Sequence, residues 1–324
     1  MPKLLFLSRK DLESILKFEE VIEVVKQGFL AFHRGEAPAY PVVREFLRKY
    51  EGIFGIKSGF VKTGDYLGFK AGGYWKDNPL RGIPGHQSLI VLYNPATGIP
   101  QAVMDGNFIT IIRTGAVGAI ASKHLARSNS KTAAIIGCGV QGKIQLIALR
   151  TNFILSEIRC YDSIPENAER FAAAMSIPGS PVQFIAQVEE AIRGVDIVVT
   201  TTPSTKPILF NQWISDGTHI NAMGADTKGK QEIDPALYRR SKVVVDDFKQ
   251  CSELGETQHN IAFVRTQGIY AQLGEVLSGE KPGRENLHEI TLFDATGIAF
   301  QDLVTAGLAF NLAKDKTIGI WVEL

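Results

Sequence analysis

The sequence predicts an α/β protein, a Rossmann-type doubly wound parallel sheet joined to a second α+β domain that carries an antiparallel sheet. Three observations predict it. The run Thr132-Ala-Ala-Ile-Ile-Gly137-Cys-Gly139-Val-Gln-Gly142 reads as a short apolar strand that breaks into G-x-G-x-x-G and continues as a helix, Lys143 to Arg150. From Lys131 onward strand-like and helix-like segments alternate, with strands expected at 132–137, 157–162, 182–185, 195–201, 217–222 and 242–246. Upstream, residues 42–105 hold five β-rich runs separated by turn signals, which reads as an antiparallel meander.

Each element has a local reason. Ser8 with Asp11 forms a capping-box pattern, and residues 8–34 read as two helices. Ile22, Val25, Phe29 and Phe32 mark one helical face, which Gly35 ends. The β-rich runs are Val42–Arg48, Gly52–Val61, Tyr66–Trp75, Ser88–Tyr93 and Pro100–Asp105, parted by turns such as Pro95-Ala-Thr-Gly98. A helix rich in Gly and Ala follows at about 108–126, suited to close packing. Near the end come a strand at Glu289–Asp294 and a helix at Ile298–Lys314. The expected domains are 1–123, completed by 298–324, and a nucleotide-binding domain at 124–297.

Bulk properties exclude several function classes. A net charge of +1 gives no field to recruit nucleic acid or an acidic membrane. No apolar stretch reaches membrane-spanning length. Met1–Leu7 is too short for a signal h-region. Cys138, Cys160 and Cys251 have neither metal-like spacing nor a disulfide pattern, so no metal is expected and a cytoplasmic setting is.

Chemistry-bearing residues stand out against their surroundings. Gly137 allows the turn off the strand, Gly139 lets backbone N–H groups approach a pyrophosphate, and Gly142 lets helix and strand pack. Asp162 falls twenty residues after Gly142, where such a fold places the acid for the adenosine ribose. Lys70 interrupts an apolar, small-residue strand; it is either a surface lysine on an edge strand or a cation for a substrate carboxylate, C=N or C=O. Arg113, amid Ile, Thr, Gly and Ala, is either an internal ion pair or a carboxylate clamp. Asp226 follows a parallel strand, where it either caps a helix or serves as general acid or base. Hydroxyls of Thr200-Thr-Thr-Pro-Ser204 either face a cofactor or cap a turn.

Together these residues resemble the ornithine cyclodeaminase/mu-crystallin family. The resemblance runs through Lys70, Thr97-Gly98-Ile-Pro100, Arg113-Thr114-Gly-Ala, Leu125-Ala-Arg127, the glycine loop, Val199-Thr-Thr-Thr-Pro203, His219-Ile-Asn-Ala-Met-Gly-Ala-Asp226, Gly229-Lys230 and Phe293-Asp-Ala-Thr-Gly297. It implies a homodimer whose first domain binds substrate and supplies the interface. It implies that Lys70, Arg113 and Arg44 hold the substrate carboxylate and that Asp226 transfers a proton. Thr114, Gly137, Gly139, Val140, Gln141, Gly142, Asp162, Thr201, Thr202, Met223, Gly224 and Gly297 are the implied cofactor contacts. Asp162 favours NAD(H) over NADP(H), whose extra phosphate would meet a carboxylate.

The resemblance leaves three activities: imino-acid reduction or its reverse with NAD(H), ornithine cyclodeamination with NAD recycled, and non-catalytic small-molecule binding of the crystallin type. In the cyclodeaminase the second ammonium of ornithine meets an acid on the strand before the Lys70 strand. Here that stretch, Gly52–Gly59, carries no acid after Glu51 and presents Lys57 instead. With His86 nearby, such a pocket suits a dianion better than a diamine. The expected activity is therefore hydride transfer to a small α-imino acid, either iminosuccinate to aspartate or the alanine/pyruvate pair. Whether Lys57 points inward is not readable from period two alone.

Overall fold

The computed structural model describes residues 1–324. The chain divides into two units, Met1–Ala116 with Ile298–Leu324, and Val117–Gly297. The first contains β1 (Lys3–Leu7), α1 (Arg9–Ile15), α2 (Phe18–His33), β2 (Val43–Leu47), β3 (Gly52–Val61), β4 (Tyr66–Trp75), β5 (His86–Tyr93), β6 (Pro100–Asp105) and the start of α3 (Gly106–Leu125). The second contains β7 (Thr132–Ile136), α4 (Val140–Arg150), β8 (Glu157–Tyr161), α5 (Pro165–Met175), β9 (Val182–Phe184), α6 (Val188–Ile192), β10 (Ile197–Thr200), β11 (Thr205–Leu209), β12 (His219–Ala222) and β13 (Gln231–Ile233). It continues with α7 (Pro235–Arg240), β14 (Lys242–Val245), α8 (Phe248–Leu254), α9 (Ile261–Gln267), β15 (Ala271–Gln272), α10 (Leu273–Ser278) and β16 (Thr291–Asp294). α11 (Ala299–Lys316) and β17 (Ile320–Glu323) complete the first unit.

In the first unit a seven-stranded sheet runs β17-β1-β6-β5-β4-β3-β2. Strands β2 to β6 form the expected meander, each antiparallel to the next. The sheet is nevertheless mixed, because β1 enters parallel to β6 and β17 pairs antiparallel with β1. The run Leu4-Leu5-Phe6-Leu7 has strand length and buries Leu4, Leu5 and Leu7, whereas the sequence reading noted only that Met1–Leu7 is too short for a signal h-region. Cross-strand partners share a face, so the register fixes what each face carries. The inner face holds the row Lys57, Lys70, Ile90, Met104 and the row Arg44, Gly55, Gly72, Ser88. α11 packs on this face of β3, β4 and β5, and α2 packs on α11 through an edge-on contact of Phe29 with Phe300 at 5.0 Å. The opposite face carries Ile56, Ala71 and Leu89 in one row and Phe69, Val91, Val103, Phe6 and Ile320 in another.

In the second unit eight parallel strands run β15-β14-β16-β12-β10-β7-β8-β9. Their alternation divides the apolar residues between two clusters. Ala133, Ile135, Ile158, Cys160, Ile197 and Val199 belong to one, and Ala134, Ile136, Val198, Ile220, Val243 and Leu292 to the other. A sheet apolar on both faces requires helices on both, which is the doubly wound pattern. The chain starts at β7, moves outward through β8 and β9, and returns to β10 on the other side of β7. The topological switch point therefore lies between β7 and β10, at the glycine loop. The division between the units falls after Ala116, inside α3. Asn152 Nδ2 donates to the Ala119 carbonyl at 2.8 Å and Asn221 Nδ2 to Ser122 Oγ at 2.8 Å, so the latter half of α3 is tied to the second unit.

Candidate active site

The first unit gathers its cations on the inner sheet face. Lys57 and Lys70 are direct cross-strand partners, 9% and 8% exposed. β4 lies between β3 and β5, which excludes the edge-strand reading of Lys70, and Lys57 points inward with it. Lys70 Nζ donates to Asp302 Oδ1 at 2.9 Å and to Thr110 Oγ1 at 3.1 Å. Arg113, from α3, donates from Nε to Asp302 Oδ1 at 2.9 Å and from Nη1 to Gln301 Oε1 at 2.9 Å. Arg113 is thus in an internal ion pair through Nε, with Nη1 on Gln301. Burial would raise the Asp302 carboxyl; Arg113, Lys70 and Lys57 overcome it and bring it down from 3.8 to about 2. Asp302 is therefore an anion throughout the physiological range.

Arg44 and His86 join the same face by register, Arg44 opposite Gly55 and His86 opposite Tyr74. His86 Nδ1 is 3.1 Å from Asn107 Oδ1 of α3. Gly55 and Gly72 are adjacent in the row between the lysines and the Tyr74–His86 pair. They leave the middle of that row without side chains, between Arg44 at one end and Ser88 at the other. Asp302, Gln301 and Asn107 were missed from the sequence. Asp302 had a signal, since an acid in Ile298-Ala-Phe-Gln-Asp302-Leu-Val is as isolated among apolar neighbours as Arg113 is.

The second unit builds a dinucleotide cradle. Gly137 has φ +100°, a conformation open to glycine, and Thr201 Oγ1 donates to its carbonyl at 2.9 Å. A side chain at Gly139 would meet nothing within 4 Å, while one at Gly142 would overlap the Gly137 carbonyl. Gly142 thus serves helix–strand packing, and Gly139 opens onto free space at the start of α4. That helix begins with no side-chain cap, so its first N–H groups face outward for an anion. Val140 beside them is exposed, and Gln141 Oε1 is buried with no partner. Asp162, just past β8, accepts Cys138 N–H at 2.9 Å and Ile164 N–H at 3.0 Å. It is therefore oriented beside the glycine loop. These features fit NAD(H).

Thr201, Thr202, Met223 and Gly224 follow the carboxyl ends of the neighbouring strands β10 and β12. Met223 N–H donates to the Thr200 carbonyl at 2.9 Å. Gly297 N–H donates to buried Asp246 Oδ2 at 2.7 Å after β16. Thr114 belongs to the first unit, and its hydroxyl donates to the Thr110 carbonyl at 2.6 Å. Asp226 follows β12 in a loop, not a helix, so the capping alternative falls. Its carboxylate accepts from Lys230 Nζ at 2.8 Å and Thr227 Oγ1 at 3.1 Å, and is 44% exposed. Lys230, a partner missed from the sequence, holds this carboxylate in place through that ion pair.

A sequence model of the ornithine cyclodeaminase/mu-crystallin family matches residues 3–317. An alanine dehydrogenase of Archaeoglobus fulgidus is 38% identical over 97% of this chain and 97% of its own. Among solved structures, an archaeal alanine dehydrogenase dimer with bound NAD superposes with a TM-score of 0.94 at 37% identity, covering 100% of both chains. The iminosuccinate reductase of Paracoccus denitrificans in complex with NAD+ gives 0.90 at 34% identity, again covering 100% of both.

Proposed function

The chain belongs to the ornithine cyclodeaminase/mu-crystallin family, and from that premise we propose that it is an NAD(H)-dependent oxidoreductase acting on the C=N or CH–NH2 group of a small α-imino or amino acid. The observation that carries this reading is the buried cluster in which Lys57, Lys70 and Arg113 bear on one carboxylate, Asp302. Three cations gathered round a single acid favour an anionic ligand, and a substrate carboxylate is such a ligand. Arg113, Lys70 and Arg44 hold the α-carboxylate. Lys57 and His86 take up a second carboxylate, which makes iminosuccinate, reduced to aspartate, the favoured substrate. NADH, when bound, supplies the hydride that reduces the imine carbon. Asp226 carries the proton for the imine nitrogen, steadied by Lys230. Fixing the anion at several points removes much of the entropic barrier. Asp162 sets the preference for NAD(H). No helix is long and apolar enough to cross a membrane, and all three cysteines are free and buried, which fits work in the cytoplasm. The apolar outer face of the seven-stranded sheet supports a homodimer.

The test is NADH oxidation with ammonia plus oxaloacetate, pyruvate or glyoxylate, and with cyclic imino acids. The expected result is turnover, fastest with oxaloacetate and ammonia. Release of ammonia from ornithine with catalytic NAD, and no reductase activity, would overturn the reading in favour of cyclodeamination. NADH binding with neither activity would make it a binding protein.

A further inference from the structure

We propose that Glu232 is a positioning residue, which fixes the two loops that hold the nicotinamide half of the cofactor, with the turn at Glu256–Asn260 as its brace. This rests on the NAD(H) reading above. In the strand order β12-β10-β7-β8, the ribose acid Asp162 follows β8 on one side of the glycine loop. A dinucleotide laid across the switch point therefore sends its other half over β10 and β12. The loops after those strands are joined by one side chain. Glu232, fully buried on β13, accepts Thr202 N–H at 2.6 Å and Gly224 N–H at 2.9 Å, one on each oxygen. Thr200 Oγ1 donates to it at 2.7 Å. No cation pairs with it. A side chain at Gly224 would lie 2.6 Å from the Glu232 carboxyl carbon, so the loop is drawn tightly onto this group.

Glu232 is itself held. Glu256 accepts the Glu232 N–H at 2.8 Å and the Ile233 N–H at 3.2 Å. Asp294 accepts the Glu256 N–H at 3.0 Å and the Thr257 N–H at 2.8 Å. Three buried acids thus pass the rigidity of β16 outward to the loops. The same turn secures the segment bearing Asp226, since Gln258 Oε1 accepts Gly229 N–H at 2.8 Å and His259 Nε2 lies 2.7 Å from the Lys230 carbonyl. An acid buried without a cation is costly, and apolar residues of like size would serve the core better. What a carboxylate offers is acceptors in two directions and no donor, which two converging backbone N–H groups require. Glutamine cannot do this, because its NH2 must face one of those donors.

The experiment compares Glu232→Gln with wild type and with Thr132→Val. The latter removes the hydrogen bonds between Thr132 Oγ1 and Asp196, 2.9 and 3.0 Å long, at the amino end of β7 and away from both loops and from the brace. NADH affinity is read by its fluorescence, KM and kcat by turnover, and stability by thermal unfolding. The expected result is that Glu232→Gln raises the Kd and KM for NADH about tenfold. The KM of the imino acid stays unchanged, and Thr132→Val loses stability with NADH affinity unchanged. If Glu232→Gln does not fold, Thr200→Val, which removes one of the three donors, should weaken NADH about threefold. Wild-type affinity in a folded Glu232→Gln, or an equal loss in Thr132→Val, overturns the proposal and leaves the NAD(H) reading intact. Failure of the wild type to bind NADH overturns that reading and the proposal with it.

Discussion

Asp302 and Lys70 have separable roles within one cluster. Lys70→Ala removes a cation proposed to hold substrate from the unit that does not carry the glycine loop. It should abolish turnover while leaving NADH affinity within about twofold of wild type, as read by NADH fluorescence titration. Asp302 acts instead through the cations it orients. Its carboxyl is lowered from 3.8 to about 2 on folding. The native state binds the proton less readily than the unfolded chain, so this contribution is complete above about pH 4 and is lost as the pH falls through 2. Its size is about 2 kcal/mol. Asp302→Asn also strands two buried cations, for a loss of about 3 kcal/mol at pH 6. Urea unfolding should show the gap between variant and wild type shrinking from pH 4 to pH 2; a constant gap would contradict the assignment. The lone Lys and Arg were visible in the sequence because charge among apolar residues needs a reason. Their common partner was not, since 232 residues separate Lys70 from Asp302.

The strand–turn–helix around Gly137 is the element whose function was most legible, because the three glycines serve different local ends within six residues. The geometry separates them. Gly139 faces open space, so Gly139→Ala should change the stability of the cofactor-free protein by less than about 0.5 kcal/mol while weakening NADH at least tenfold. Gly142→Ala pushes a methyl group into the Gly137 carbonyl, and should lower both stability and NADH affinity. Thermal unfolding without cofactor, set beside NADH titration, distinguishes the two; equal loss of stability would remove Gly139 from the phosphate site. Strands β3, β4 and β6 begin and end where alternation and turn residues placed them. β1 and β17 escaped notice, because short terminal runs become strands only through the partners that tertiary structure gives them.

At the scale of the whole molecule, the proposed homodimer places its second copy on the outer face of the seven-stranded sheet. Leu89 is 54% exposed there and Ile320 68%, within apolar rows that cross the sheet. An exposed apolar face of this extent is the kind of surface that proteins use for association. Light scattering should give twice the mass of 35.5 kDa, and Leu89→Glu with Phe69→Glu should give the monomer. An unchanged mass in that double variant would move the interface elsewhere. The sequence by itself determined the fold class, the cofactor cradle and the identity of the cationic residues, because periodicity, glycine spacing and isolated charge are local properties of the chain. Tertiary structure alone decided that Lys57 faces Lys70, that Asp302 joins Lys70 to Arg113, and that Glu232 ties two loops together. Register and long-range pairing are set by which distant segments meet, and no local pattern encodes that meeting.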